Sequence, residues 1–220
     1  LLDFQIQKCI TGILAVGTTG ESPVLSWEEH NEVTERIARK AAGKCLCIAG
    51  TGSNNTSETL KGTQHAAQCG CQAVLLVDPY YNGPSSLEIR REYVAPVAKA
   101  FPGLDIIPYV IPGRTGTQLL PEDLALLFKS YPNVNTVKEA TADIQNMRRT
   151  RACCGPAFTI LSGDDGITHS MMADPAVIAH LARAGSSPEQ VLEFFNTTPV
   201  TAWNPATPRD GDVNTDLWPK

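Results

Sequence analysis

Residues 73–84 read Ala-Val-Leu-Leu-Val-Asp-Pro-Tyr-Tyr-Asn-Gly-Pro. Five aliphatic residues, Ala73–Val77, end abruptly on Asp78-Pro79 and a turn-rich stretch. An apolar run this short, without polar alternation, predicts a strand covered on both faces, as in a parallel sheet.

The same pattern repeats outward. Runs at residues 45–49 and 10–16 precede it, and runs at 105–111, 134–137 and 157–161 follow, each ending on Gly, Pro, Asp, Ser or a charged residue. Their centres lie about thirty residues apart, with charged amphipathic stretches between, which is the spacing of βα units. The helices carry their own signals. Ser26 with Glu29 is a capping box opening a helix that ends near Gly43. Leu120-Pro121-Glu122-Asp123 opens another, running to about Ser130. Residues 85–101 are helical in pattern, with Pro96 expected to break or kink them. Ser187-Pro188-Glu189 opens a helix through Phe195.

Six consecutive βα units predict an α/β fold of the TIM (β/α)8 barrel type rather than a doubly wound sheet, since no G-x-G-x-x-G turn follows the first strand. Eight units and about 250 residues are usual for that barrel. In the 220 residues here, the first strand is expected to be cut off before Leu1, and a stretch is expected to be missing after Pro175. Residues 1–185 are read as the barrel and 186–220 as a C-terminal helix and irregular tail. In that tail Trp203 and Trp218 are expected to dock on the body or on a partner.

Composition removes several function classes. Eighteen Lys+Arg against 23 Asp+Glu, a net charge of −5, leaves no electrostatic footprint for nucleic acid or an anionic membrane. No run of eighteen apolar residues is present to span a bilayer. Seven cysteines, an odd number without a C-x-x-C pair, are read as buried core thiols in a reducing cytoplasm rather than a disulfide framework or a zinc site.

In such a barrel the chemistry sits where the strands end. Lys138 ends the run Val134-Asn135-Thr136-Val137. A lysine facing an apolar barrel mouth loses hydration, and its free amine can then attack a carbonyl. The alternative is an ordinary ion pair with Glu139 or Asp164. Tyr109, also at a strand end, stands in line to shuttle protons beside such an amine, or else only packs its ring in the core. Arg114, in a loop with Gly113 and Gly116, can meet a carboxylate with its fork of donors. Gly17-Thr18-Thr19-Gly20 offers hydroxyls and backbone N–H groups to a small anion.

Taken together, Gly17-Thr18-Thr19-Gly20-Glu21-Ser22, Pro79-Tyr80-Tyr81-Asn82, Tyr109-x-x-Pro112-x-Arg114-Thr115-Gly116, Val137-Lys138-Glu139-Ala140-Thr141 and Ser162-Gly163-Asp164-Asp165 resemble the dihydrodipicolinate synthase / N-acetylneuraminate lyase family. The resemblance spans residues 4 to 175 and implies a class I aldolase. It makes Lys138 the Schiff-base residue for pyruvate, and Tyr109 the proton donor and acceptor. The Tyr109 hydroxyl would be linked to Thr18 and to Tyr81, the latter reaching across a subunit interface. Thr19 and Gly163 would line the pyruvate site, and Arg114 would hold the carboxylate of an aldehyde partner, aspartate semialdehyde. It implies a homo-oligomer, dimer or tetramer, in the cytoplasm, with no metal or organic cofactor. Arg114 and Tyr81 match the synthase branch. The alternatives are an aldolase of 2-keto-3-deoxy sugar acids or N-acetylneuraminate, and a non-catalytic binding protein. Two departures stand out: Val110 replaces an asparagine, and no glycine-rich strand is readable after Asp174. Some relatives bind lysine as an inhibitor, and His30, Asn54, Glu58 and Tyr80 match that cleft, with Trp27 in place of a histidine.

Overall fold

The computed structural model describes residues 1–177. The elements run α1 (Leu2–Gln7), β1 (Gly12–Ala15), α2 (Trp27–Ala41), β2 (Leu46–Gly50), α3 (Thr56–Gln68) and β3 (Ala73–Val77). There follow α4 (Ser86–Glu88), a π-helical stretch (Ile89–Val94), α5 (Ala95–Ala100), β4 (Asp105–Val110), α6 (Pro112–Thr115) and α7 (Pro121–Ser130). The described chain closes with β5 (Thr136–Glu139), α8 (Ile144–Cys154), β6 (Thr159–Ser162) and α9 (Asp165–Ala173). The six strands form one sheet in sequence order, each pair parallel. This is an incomplete (β/α)8 barrel, as the βα repeat predicts. Residues 174–177 follow α9 without a further strand.

Side chains alternate between two layers. Val74, Leu76, Ile106, Val110 and Val137 pack outward with Val97, Leu124, Leu127 and Phe158 from the helical layer. Ala73, Leu75, Ile107 and Tyr109 pack inward with Leu14, Ile48 and Ile111. Burial on both faces is why the strands read as unbroken apolar runs.

The helix signals act as their chemistry requires. Ser26 Oγ accepts from Glu29 N at 3.2 Å while Glu29 Oε2 accepts from Ser26 N at 2.9 Å, completing the capping box of α2. α7 begins at Pro121 and ends at Ser130. Pro96 does not break its helix. In an α-helix its missing N–H would leave the Glu92 carbonyl unpaired; here the turn before it widens to π geometry, and Thr56 Oγ1 donates to Glu92 O at 3.0 Å.

Two expectations shift. β1, β5 and β6 each begin two residues later than the apolar runs predict; before β5 and β6 the buried Val134 and Phe158 lie in turns rather than strands, their N–H groups donating to Tyr131 O at 2.9 Å and Gly155 O at 3.4 Å. The cysteines are only partly core: Cys47, Cys71 and Cys154 are buried, whereas Cys9 and Cys153 are exposed. All seven are free thiols. Among the described residues no helix is long and apolar enough to cross a membrane. The helix expected at 187–195, the 185/186 boundary, Trp203, Trp218 and the tail lie outside the described residues.

Candidate active site

β4 and β5 are paired so that Tyr109 and Lys138 are Cα partners. Registered partners share a face, and the Lys138 Nζ stands 4.2 Å from the centroid of the Tyr109 ring. Burial holds the Lys138 amine below its usual value, with the Asp165 carboxylate pulling the other way. Lys138 makes no ion pair among the described residues: Glu139 faces the opposite side of β5, where Oε1 accepts from Thr141 N and Oε2 from Asn146 Nδ2, both at 2.9 Å.

Tyr109 is 3% exposed. Burial raises its phenol, the Thr18 side chain and the Arg114 cation lower it, and Asp164 raises it again. Three residues singled out from sequence, Thr18, Arg114 and Asp164, thus act on one hydroxyl.

Thr18 reaches this position through a strained turn. Val16, just past β1, has φ +48°, a left-handed conformation costly for a β-branched residue, and the chain then coils into a 3-10 turn at Thr18–Gly20. A side chain at Gly50 would place its Cβ 2.4 Å from the Val16 carbonyl oxygen, so the neighbouring strand end has to be glycine for this turn to form. Val16, Gly17, Thr18, Thr19 and Gly20 line a cavity of about 450 Å³ that also opens onto Lys138.

Gly163, just past β6, donates its N–H to Glu139 O at 2.7 Å. A Cβ there would lie 2.9 Å from Ala140 Cβ, 3.1 Å from Lys138 Cε and 3.2 Å from Glu139 O. Gly163→Ala is therefore expected to displace the lysine stem. A fall of about 10- to 100-fold in the rate at which borohydride traps a small carbonyl probe on Lys138, with an intact circular dichroism spectrum, would report this; an unchanged rate would show that the stem yields freely.

Arg114, exposed in α6, lines a second cavity of about 950 Å³ together with Thr18, Tyr80 and Tyr81. Thr18 borders both cavities. Tyr81 is 92% exposed and holds φ +74°, so within one chain it does not reach Tyr109. Trp27, His30, Glu58 and Tyr80 also line the larger cavity; Asn54 is not among its walls. The structure thus gathers Lys138, Tyr109, Thr18 and Gly163 at one point, places Thr19 on the smaller cavity, and leaves Arg114 and Tyr81 on the larger one. Sequence reasoning missed the burial of Asp78 and Glu139, because nothing in Asp-Pro or Lys-Glu distinguishes a buried acid from a solvated one.

Comparison with known proteins decides the family. The profile of the Dihydrodipicolinate synthetase family matches residues 1–177. The chain belongs to this family. Among dihydrodipicolinate synthetase relatives, the 4-hydroxy-tetrahydrodipicolinate synthase of Geotalea daltonii is 44% identical over 173 residues, 79% of this chain and 59% of that one. The chain therefore spans about six-tenths of that relative's length. A crystal structure of the synthase from Cyanidioschyzon merolae with lysine bound superposes with a TM-score of 0.76 at 31% identity, over 87% of this chain and 70% of that one. The dihydrodipicolinate synthase of Aquifex aeolicus gives 0.75 at 30%, over 93% and 76%.

Proposed function

We propose that this chain carries the catalytic strands of a pyruvate-dependent lyase that condenses pyruvate with aspartate semialdehyde to 4-hydroxy-tetrahydrodipicolinate. The observation that carries the reading is the Lys138 amine set 4.2 Å over the Tyr109 ring, in a half-buried mouth shared with Thr18 and Gly163.

The chemistry follows from the side chains. The uncharged Lys138 amine adds to the pyruvate ketone, and loss of water gives an imine. Its positive nitrogen draws electrons from the adjacent methyl group, which gives up a proton to a base, the role read for the Tyr109 oxygen. The resulting enamine carbon attacks the aldehyde of the second substrate, whose oxygen takes a proton. The amino group of that substrate then displaces Lys138, closing the ring and freeing the lysine. Thr19 and the backbone beside it would hold the pyruvate carboxylate, while the Thr18 hydroxyl would serve the Tyr109 phenol. The exposed guanidinium of Arg114 suits the carboxylate of the aldehyde substrate.

An exposed Tyr81 on a strained backbone fits a residue used by a neighbouring subunit, so the working form is read as at least a homodimer. Seven free thiols fit a reducing compartment, the cytoplasm. The test is borohydride reduction in the presence of pyruvate with peptide mass mapping, then turnover with aspartate semialdehyde against sugar-acid aldehydes. A pyruvate adduct elsewhere than Lys138, or none, overturns the Schiff-base reading. Turnover only with sugar-acid aldehydes assigns a different aldolase.

A further inference from the structure

On the helix-facing side of the sheet, behind the reacting side chains, lie two fully buried acids. Asp78 follows β3. Its N–H donates to the carbonyl of Tyr109 at 3.0 Å, and its Oδ2 accepts from Leu119 N at 2.9 Å. Its Oδ1 is buried without a hydrogen-bond partner. Glu139, next in chain to Lys138, holds Asn146 Nδ2, and Asn146 Oδ1 in turn accepts from Gln118 Nε2 at 3.2 Å.

Gln118 and Leu119 are consecutive, and they belong to the loop that carries Arg114. One is tied through Asn146 to the residue after the lysine. The other is tied directly to the residue bonded to the tyrosine's own carbonyl. The same loop is anchored once more on its other side, where Thr115 Oγ1 donates to Thr117 O at 2.8 Å and Thr117 Oγ1 to Pro84 O.

We propose that Asp78 and Glu139 are positioning residues that hold the Arg114 loop at a fixed distance from Lys138 and Tyr109, and so set recognition of the carboxylated aldehyde. The inference rests on the aldolase reading above. A single backbone N–H needs no carboxyl to satisfy it, and burying one with an unmatched oxygen is costly. The arrangement is accounted for if what it fixes is geometry at the site. Burial, with the Glu139 charge adding to it, pushes the Asp78 carboxyl up to about 8, while the Leu119 N–H opposes. Asparagine keeps the shape and an oxygen for the Leu119 N–H to donate to, which makes it the close mimic of Asp78.

The experiment compares wild type, Asp78→Asn, Asp78→Ala and Asn146→Ala. Three quantities are read: the borohydride-trapped pyruvate adduct, KM for each substrate, and amide hydrogen exchange over residues 112–120. The adduct is expected in all four. Asp78→Ala and Asn146→Ala are expected to raise the aldehyde KM about tenfold or more, to leave the pyruvate KM within about twofold, and to speed exchange in the loop. Asp78→Asn restores the aldehyde KM. An unchanged aldehyde KM in either alanine variant, or a loss falling equally on both substrates, overturns the proposal. If Asp78→Ala does not fold, Asn146→Ala decides alone. If wild type itself forms no adduct, the aldolase reading fails by that result, and the clamp stands or falls on whether loop exchange quickens in Asn146→Ala.

Discussion

Lys138→Ala is expected to abolish the trapped pyruvate adduct and to lower turnover by about ten-thousandfold or more, the usual scale for deleting a covalent nucleophile. Among the described residues no second amine stands over Tyr109 to replace it. The side chain sits on a strand between two parallel neighbours, so the barrel is not expected to rearrange. Lys138→Met goes further, because it keeps the stem and removes only the half-buried amine. A lysine whose folded pKa lies below its ordinary 10.5 binds fewer protons in the folded state. Between those two values stability therefore rises with pH, and below them the full cost of burying the cation is felt. Lys138→Met is accordingly expected to melt at a higher temperature than wild type, by more at pH 6 than at pH 10. Adduct formation in wild type runs in the same direction, faster as pH rises through the depressed value. A melting difference that is flat with pH would show that Lys138 is not desolvated.

Tyr109→Phe separates binding from proton transfer. The ring that lies under the amine is kept, and only the hydroxyl near Thr18 and Arg114 is lost. Turnover is expected to fall by about 100- to 10,000-fold, while the pyruvate adduct still forms on Lys138. Exchange of the pyruvate methyl protons with deuterated water, followed by NMR without any aldehyde present, isolates the step. If that exchange persists at the wild-type rate, the proton goes elsewhere than to Tyr109.

Much of this was legible in the chain before any coordinates, and the reasons are physical. Doubly covered strands must be apolar on both faces, so Ala73–Val77 announces itself with both ends correct. Capping boxes and prolines mark helix starts by local chemistry, which is why α2 and α7 fall where Ser26 and Pro121 place them. Burial and strand are different properties, however. Val134 is buried in a turn and reads as strand, while Lys138 and Glu139 are strand and do not read as apolar. The rescue of Pro96 depends on Thr56, forty residues away in sequence, and no local pattern reports it. The candidate residues stand out because strand ends are few and Lys138 is the lone lysine at one. Asp78 escaped because its partner, Leu119 N, is a backbone group brought there only by the fold.

The pairing of Tyr109 with Lys138 across one ladder has a consequence for how preparations of this protein behave. Side chains alternate strictly along a strand, so a displacement of β5 by one residue would carry Lys138 into the apolar outer layer and bring Glu139 to the mouth. A slip of register offers no half-way position, so a barrel that has slipped is dead rather than slow. A preparation weakened in this way is a mixture of competent and dead barrels, whereas a variant that only shifts the lysine stem leaves every barrel slow. Counting trapped adducts per chain would titrate the competent fraction, and specific activity should scale with that count in direct proportion.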